Sequence, residues 1–346
     1  MDAVGNLVRS ADEKGVQIMG VAPAFFPGRG LGIMATNDMD EGHVIMTIPT
    51  LAIRSLHTTC QEISSKLCPS ISLHGLLAAE FALDDAKSAD WASLVPQWKH
   101  FETSMPCLWP RELQKCLPAE AKRLLAKQCS NFDNDWDKFK KAFAHHCRQD
   151  YLYAWLLIGT RAFYYETPTT MALPKHDRLA LLPVADFLNH ADSGCVFRCS
   201  SESYTITTER PYRKGDEIYL SYGDHSNDYL LVEYGFLLGE NKWDKVCLDD
   251  IILPKLSAEQ KRELSDNGPQ WQSYIDGEED VEGTLAKAAK LLLVLLQEYL
   301  DSVEEMRMRI RALQIGQECQ KDLLEKRWEQ MEVMIKEAMA TTWFAV

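Results

Sequence analysis

Asn189-His190 closes the run Leu181-Leu182-Pro183-Val184-Ala185-Asp186-Phe187-Leu188, which otherwise reads as protein core. A second run, Glu217-Ile218-Tyr219-Leu220-Ser221-Tyr222-Gly223-Asp224, alternates so that Ile218, Leu220 and Tyr222 share a face. Tyr234-Gly235-Phe236 is a third segment of the same kind. Burying polar groups costs free energy unless something bonds to them. A fold that accommodates these segments must therefore give Asn189, His190 and Tyr222 a ligand or a fixed partner.

The rest of the chain sets the class. Its 346 residues allow one large or two ordinary domains, and 46% hydrophobic with 25% charged residues describes a soluble globular protein. The longest aliphatic run, Leu291 to Leu296, lies between Lys290 and Glu298. A membrane span needs roughly 20 apolar residues, so no membrane association is expected. Charges from Asp2 to Lys14 fall where a signal peptide needs its apolar centre, which predicts an intracellular protein, cytoplasmic or nuclear or both. A net charge of −14 argues against direct nucleic-acid binding, which requires a basic stripe. It suits a basic protein substrate, or serves solubility alone.

The 10 cysteines do not form a disulfide framework in a chain this long. Cys129, Cys147, Cys247 and Cys319 read as reduced core thiols. Cys195 and Cys199 form one close pair without two further ligands, so no metal site is expected. His145-His146-Cys147 reads as a helix surface.

Short apolar runs broken by glycine and proline from Gly15 to Ile48 predict a small β-meander, with a turn at Asn37 to Gly42. From about Ser55 to Tyr165 the spacing becomes helical. Strand-like text returns from Leu179 to about Leu238, with Tyr204 to Thr208 β-branched and a turn at Arg213 to Asp216. Helical text resumes from about Ser257, in Thr284 to Leu313 and Lys321 to Ala340 above all. Gly28-Arg29-Gly30-Leu31-Gly32 is not a dinucleotide fingerprint, because strand-like text follows it and its third glycine is misplaced. It reads as a hairpin entry whose backbone can approach a ligand, or as a plain glycine turn.

In order and spacing these segments resemble the SET-domain methyltransferases, and more narrowly the group named for the Rubisco large-subunit lysine methyltransferase. The resemblance implies an α+β SET fold, with a pseudoknotted β-core of small sheets, a helical insertion and a C-terminal all-helical domain. Residues 15–245 would form the SET domain, with the insertion at about 55–165, and 256–346 the helical domain. The implied cofactor is S-adenosylmethionine, held by the main chain of Arg29, Gly30 and Leu31 and by Asp186, Asn189 and His190. Arg161 would bind its carboxylate, a job that suits a planar guanidinium, although a salt bridge at a helix end would equally use an arginine. Tyr222 would contact the cofactor and carry catalysis, with Tyr234 and Phe236 walling the substrate channel. Without such neighbours, Asn-His after an apolar run would read as a structural network, and these aromatics as core.

Only Cys247 and Cys319 follow Tyr234, so the cysteine-rich zinc segment of histone-type members is missing. Ala162-Phe163 follows Arg161 where the histidine-methylating branch carries a polar pair, which favours lysine as the target. Histidine methylation and a non-catalytic adaptor remain the alternatives. The expected partner is a protein presenting a lysine, met by a monomer. A basic face of Arg307, Arg309, Arg311, Lys321, Lys326 and Arg327 would contact it, or would be a solvated helix surface.

Overall fold

The computed structural model describes residues 3–67, 69–83, 94–255 and 281–343. Along the chain come α1 (Ala3–Glu13), β1 (Gln17–Ile18), β2 (Val21–Phe26), β3 (Gly30–Ala35), β4 (Val44–Pro49), α2 (Gln61–Leu67) and α3 (Leu73–Leu83). Among the described residues α4 (Trp98–Ser104), α5 (Arg111–Gln114), α6 (Ala119–Ala142) and α7 (Arg148–Arg161) follow. The strands resume with β5 (Phe163–Tyr164), β6 (Leu179–Ala180), β7 (Asn189–His190), β8 (Cys195–Cys199), β9 (Ser203–Thr208) and β10 (Glu217–Leu220). The last helices are α8 (Asn227–Tyr234), α9 (Asp249–Ile252), α10 (Val281–Ala312) and α11 (Glu318–Trp343). The chain divides into two compact units, Met1–Glu102 with Lys127–His225, and Thr103–Ala126 with Ser226–Val346.

The first unit holds the sheets. β2 and β3 form an antiparallel hairpin from Val21↔Ala35 to Phe26↔Gly30. Its turn needs φ of +77° at Gly28 and +80° at Gly30, which glycine adopts without steric cost. The run is not a meander. β4 leaves the hairpin and pairs with β1 and β9, giving one sheet in the order β1-β4-β9-β8 and a second in the order β2-β3-β10-β7. The turn at Asp38 to Gly42 redirects the chain, since Met39 bridges to Tyr212 rather than back to β3. Ile33, Ile45, Met46, Ile48, Ile206 and Ile218 are fully buried in the core between these strands.

In the same unit α3 is mostly apolar, with Leu73, Leu76, Leu77, Ala78, Ala79 and Phe81 buried, as befits a helix enclosed by others. Its N-terminus is tied down by buried carboxylates. Asp177 accepts from the backbone N–H of Leu73 at 2.7 Å and of His74 at 3.0 Å. Asp135 accepts from the Ser72 hydroxyl at 2.6 Å and from Trp155 Nε1 at 3.2 Å. A Cβ on Gly75 would lie 2.6 Å from Asp135 Cγ, so only glycine lets the helix approach this cap. His145-His146-Cys147 lies in a turn, not on a helix, and Cys147 caps α7 by accepting from Gln149 N–H.

In the second unit Ser226 caps α8 and Gly235, at φ +78°, ends it. Phe236 N–H reaching Leu230 O and Gly235 N–H reaching Leu231 O complete the left-handed cap. Tyr234-Gly235-Phe236 is thus a helix terminus rather than strand text. α10 and α11 bury Leu296, Val303 and Ile310 on one and Leu324, Trp328 and Met331 on the other. The expected basic face does not exist as a unit. Arg327 is 0% exposed, Arg307 pairs with Glu332, and Arg311 Nε lies 3.1 Å from Glu325. Lys321 Nζ donates to Leu313 O at 2.8 Å. Arg309 and Lys326 are exposed. Cys147 and Cys319 are exposed and Cys129 and Cys247 half-buried, whereas Cys116 and Cys195 are the buried thiols among the described residues. Single cysteines carry too little apolar area to fix their own burial.

Candidate active site

The site in the first unit is made by a two-residue parallel pairing, Tyr219↔Asn189 and Leu220↔His190. The turn before β7 has Val184 at φ 68°, the one non-glycine residue with positive φ among those described. Such a conformation costs of order 1–3 kcal/mol, most for a β-branched side chain, and persists only where its surroundings over-determine it. Val184 is fully buried, and the turn it opens carries Asp186.

Glu217, to which the sequence pattern assigns no role, sits at the centre. It accepts from Asn189 Nδ2 at 2.8 Å, from the Tyr219 hydroxyl at 2.8 Å and from Arg29 Nη1 at 2.9 Å. The Arg29 guanidinium also lies over the Tyr219 ring, 5.3 Å from its centroid, and contacts its hydroxyl. Asn189 Nδ2 has a longer contact to Leu31 O at 3.5 Å. The sequence offered one signal: Glu217 and Tyr219 lie on the opposite face of β10 from Ile218 and Leu220. Around Gly28 and Gly30 nothing lies within 4 Å of where a Cβ would stand, so the backbone there is open to approach.

A second group surrounds Tyr222. Its hydroxyl donates to Leu188 O at 2.7 Å, and its backbone N–H donates to His190 Nδ1 at 3.1 Å. The two rings stack at 4.9 Å. Burial pushes the Tyr222 phenol up to about 12, against the pull of Arg161, so it stays protonated at neutral pH. Arg161 Nη1 donates to Asp186 O at 2.7 Å and lies 3.4 Å from its Oδ2. The Arg161 Nε–H is buried and has no acceptor among the described residues. Arg161, Asp186, Asn189, His190 and Tyr222 are therefore linked through adjoining segments, with Arg29 to Leu31 joined to them by Glu217. Tyr234 and Phe236 belong to the second unit, where their rings lie 6.1 Å apart.

Chemically, these groups fit a small charged ligand. A buried guanidinium N–H seeks an anionic acceptor, because leaving it unbonded costs the desolvation of the group. Among the described residues, no group of three or more His, Cys, Asp or Glu could hold a metal.

The histidines set a pH dependence. Burial lowers the pKa of His190 from its ordinary 6.5 and His225 lowers it further, opposed by Asp192 and by the Leu220 carbonyl, which faces Nδ1 and would accept from it only once it is protonated. Burial likewise lowers His225 and His74. As pH falls below about 6.5 the unfolded chain takes up protons that the folded protein refuses, so stability is lost there. His190 Nδ1, moreover, can accept from Tyr222 N–H only while unprotonated. The melting temperature should fall between pH 7 and pH 5, counted in roughly whole units around that ordinary histidine value. His190→Asn, which retains an acceptor but cannot protonate, should flatten the profile. An unchanged slope in that variant would remove His190 from this account.

The SET domain family profile matches residues 30–223. The ribosomal lysine N-methyltransferase set11 of Schizosaccharomyces pombe is 28% identical over 255 residues, covering 72% of this chain and 64% of that protein. SET domain-containing protein 4 of Homo sapiens is 31% identical over 261 residues, covering 68% of this chain and 58% of its own length. The chain thus spans about 58–64% of the length of these relatives. Among solved structures, Rubisco LSMT bound to AdoMet superposes with a TM-score of 0.62 at 14% identity, over 99% of this chain and 93% of that one. The architecture of small sheets and many helices is that of the SET fold.

Proposed function

The chain belongs to the SET-domain family, and from that premise we propose that it is an S-adenosylmethionine-dependent protein-lysine N-methyltransferase. The observation that carries this reading is the convergence of Arg161, Asp186, Asn189, His190 and Tyr222, with a buried Arg161 Nε–H that lacks an acceptor among the described residues. When bound, S-adenosylmethionine supplies an activated methyl group on a sulfonium, beside an amino-acid carboxylate and ammonium.

The residues divide the work. Arg161 takes the carboxylate through Nε–H, its orientation held by the bond from Nη1 to Asp186 O. Arg29, Gly30 and Leu31 offer main-chain groups, and Asn189 offers its side-chain amide. His190 fixes the Tyr222 backbone. The Tyr222 hydroxyl gives its proton to Leu188 O, and a phenol oxygen that donates one hydrogen bond can also accept, which suits it to orient the attacking amine. A phenol that stays protonated is no base, so the amine must arrive neutral. Its reference pKa of about 10.4 falls in apolar surroundings and beside a positive charge. Holding amine and methyl in line then supplies much of the rate. The role of Tyr234 and Phe236 as channel aromatics rests on the family likeness alone.

The substrate class we propose is a basic protein, in keeping with the net charge of −14 and with the ribosomal substrate named for the fission yeast relative. A monomer acting inside the cell without nucleic acid or membrane completes the proposal. Free thiols at every described cysteine accord with it, and among the described residues no helix is long and apolar enough to cross a membrane. Incubation of the purified protein with methyl-labelled cofactor and cell lysate should put label into one or a few proteins, recovered on hydrolysis as methyl-lysine. Label in methylhistidine would overturn the choice of lysine, and binding without transfer would make the protein an adaptor.

A further inference from the structure

The buried carboxylate of Glu217 does more than brace two strands. As a carboxylate it can only accept hydrogen bonds. It accepts from three donors, Asn189 Nδ2, the Tyr219 hydroxyl and Arg29 Nη1, with 6% of its side chain exposed. An asparagine amide presents a donor on one side and an acceptor on the other, and what it faces decides which way round it sits. Facing Glu217 Oε1 at 2.8 Å, the Asn189 amide has to turn its nitrogen inward. Both protons of that nitrogen are then directed at protein oxygens, Glu217 Oε1 and Leu31 O. Asn189 Oδ1 is left with no donor among the described residues.

The pair is also sealed on its third side. A Cβ on residue 32 would fall 2.9 Å from Asn189 Nδ2, 2.9 Å from Glu217 Oε1 and 2.8 Å from Phe26 Cδ2. Glycine at this position lets the amide and the carboxylate meet without displacement. The remaining Glu217 oxygen holds Arg29, which anchors the open turn at Gly28 to Gly30.

We propose that Glu217 is a positioning residue: it fixes the Asn189 amide so that Oδ1, an acceptor, is presented to a hydrogen-bond-donating nitrogen of the cofactor. This rests on the proposed cofactor and adds to it the direction of one hydrogen bond. The charge of Glu217 never reaches the ligand. It is relayed as a choice between donor and acceptor at residue 189.

Exchanging the two functional groups tests this. Glu217→Gln is nearly isosteric but supplies an NH₂ that can bond Asn189 Oδ1, letting the amide turn and face the ligand with a donor. S-adenosylmethionine affinity, measured by calorimetry, should fall by about tenfold or more, the range of one misdirected buried hydrogen bond. Asn189→Asp alone sets two carboxylates against each other and should also weaken binding. When Glu217→Gln and Asn189→Asp are combined, the new amide at position 217 donates to one oxygen of the new carboxylate at position 189. The other oxygen of that carboxylate again faces outward as an acceptor. The double variant should return to within about threefold of the parent, a coupling that independent losses of packing would not produce. A double variant as weak as Glu217→Gln, or a Glu217→Gln that binds like the parent, would overturn the proposal.

A ligand-free measurement separates this from failure of the cofactor assignment. With asparagine selectively ¹⁵N-labelled, the Asn189 side-chain amide protons should be protected from exchange in the parent and lose protection in Glu217→Gln. A parent that shows this pattern yet binds no S-adenosylmethionine would remove the cofactor reading and leave the amide orientation standing. Absence of the pattern would remove the orientation whatever the parent binds.

Discussion

Replacing Tyr222 with phenylalanine should lower the single-turnover rate of methyl transfer by about a hundredfold or more, the scale seen when one preorganised polar contact to a transition state is removed. The ring remains, so its stacking on His190 at 4.9 Å and the bond from its backbone N–H to His190 Nδ1 survive. Only the hydroxyl that donates to Leu188 O at 2.7 Å is lost. That exposes one backbone carbonyl to an unmet bond and should cost about 1–3 kcal/mol of stability, which is measured separately by melting. Cofactor affinity should stay within about threefold of the parent, because Arg161, Asn189 and the Arg29 turn are untouched, and threefold is well under 1.4 kcal/mol. Burial keeps the phenol near 12, so the parent's rate profile should show no ionisation of Tyr222 at neutral pH. Parent-like turnover in the phenylalanine variant would place the chemistry elsewhere.

The strand β10 that carries this site was legible from the period of two in Ile218 and Leu220. Ser203–Thr208 was marked by β-branched residues and the turn at Gly28 to Gly30 by its glycines, and the long helices α10 and α11 were equally plain from their periodicity. Partner choice was not legible. β4 follows β3 in the chain but pairs with β1 and β9, because register depends on which faces find a common core rather than on order. The parallel pair β7 and β10 is two residues long in each register and carries no pattern of its own. α8 was hidden because Leu230-Leu231-Val232 reads as strand, while the signals that decide it are the Ser226 cap and the left-handed Gly235. Asn189, His190 and Tyr222 stood out as polar residues in apolar text. Glu217 did not, since its partner Arg29 lies 188 positions away and its partner Asn189 lies 28 away.

Arg327→Met should destabilise the protein by about 3–5 kcal/mol, the cost of removing one member of a buried, hydrogen-bonded charge set. In sequence Arg327 falls among Lys321, Lys326 and other charged residues and reads as helix surface. In the structure it is 0% exposed, with Nε 2.7 Å from Asp228 Oδ1 and Nη1 2.6 Å from Asp244 Oδ2. Burial pushes the Asp228 carboxyl above its ordinary range even with Arg327 pulling it down. Without the guanidinium that carboxyl must take up a proton or draw in water, and either route costs stability. Asn227 extends the network, donating to Leu238 O at 3.2 Å and receiving Leu238 N–H at 3.1 Å. Methionine keeps most of the buried stem, so the loss should reflect charge rather than a cavity. Converting Asp228 and Asp244 to asparagine in the same background should recover part of it, because no buried carboxylate is then left unpaired. Arg311→Met is the matched control on the neighbouring helix. Its side chain is 56% exposed and its pair with Glu325 faces water, so urea unfolding should show no resolvable change. If Arg327→Met unfolded at the same urea concentration as Arg311→Met, the buried network would not be what holds the second unit together.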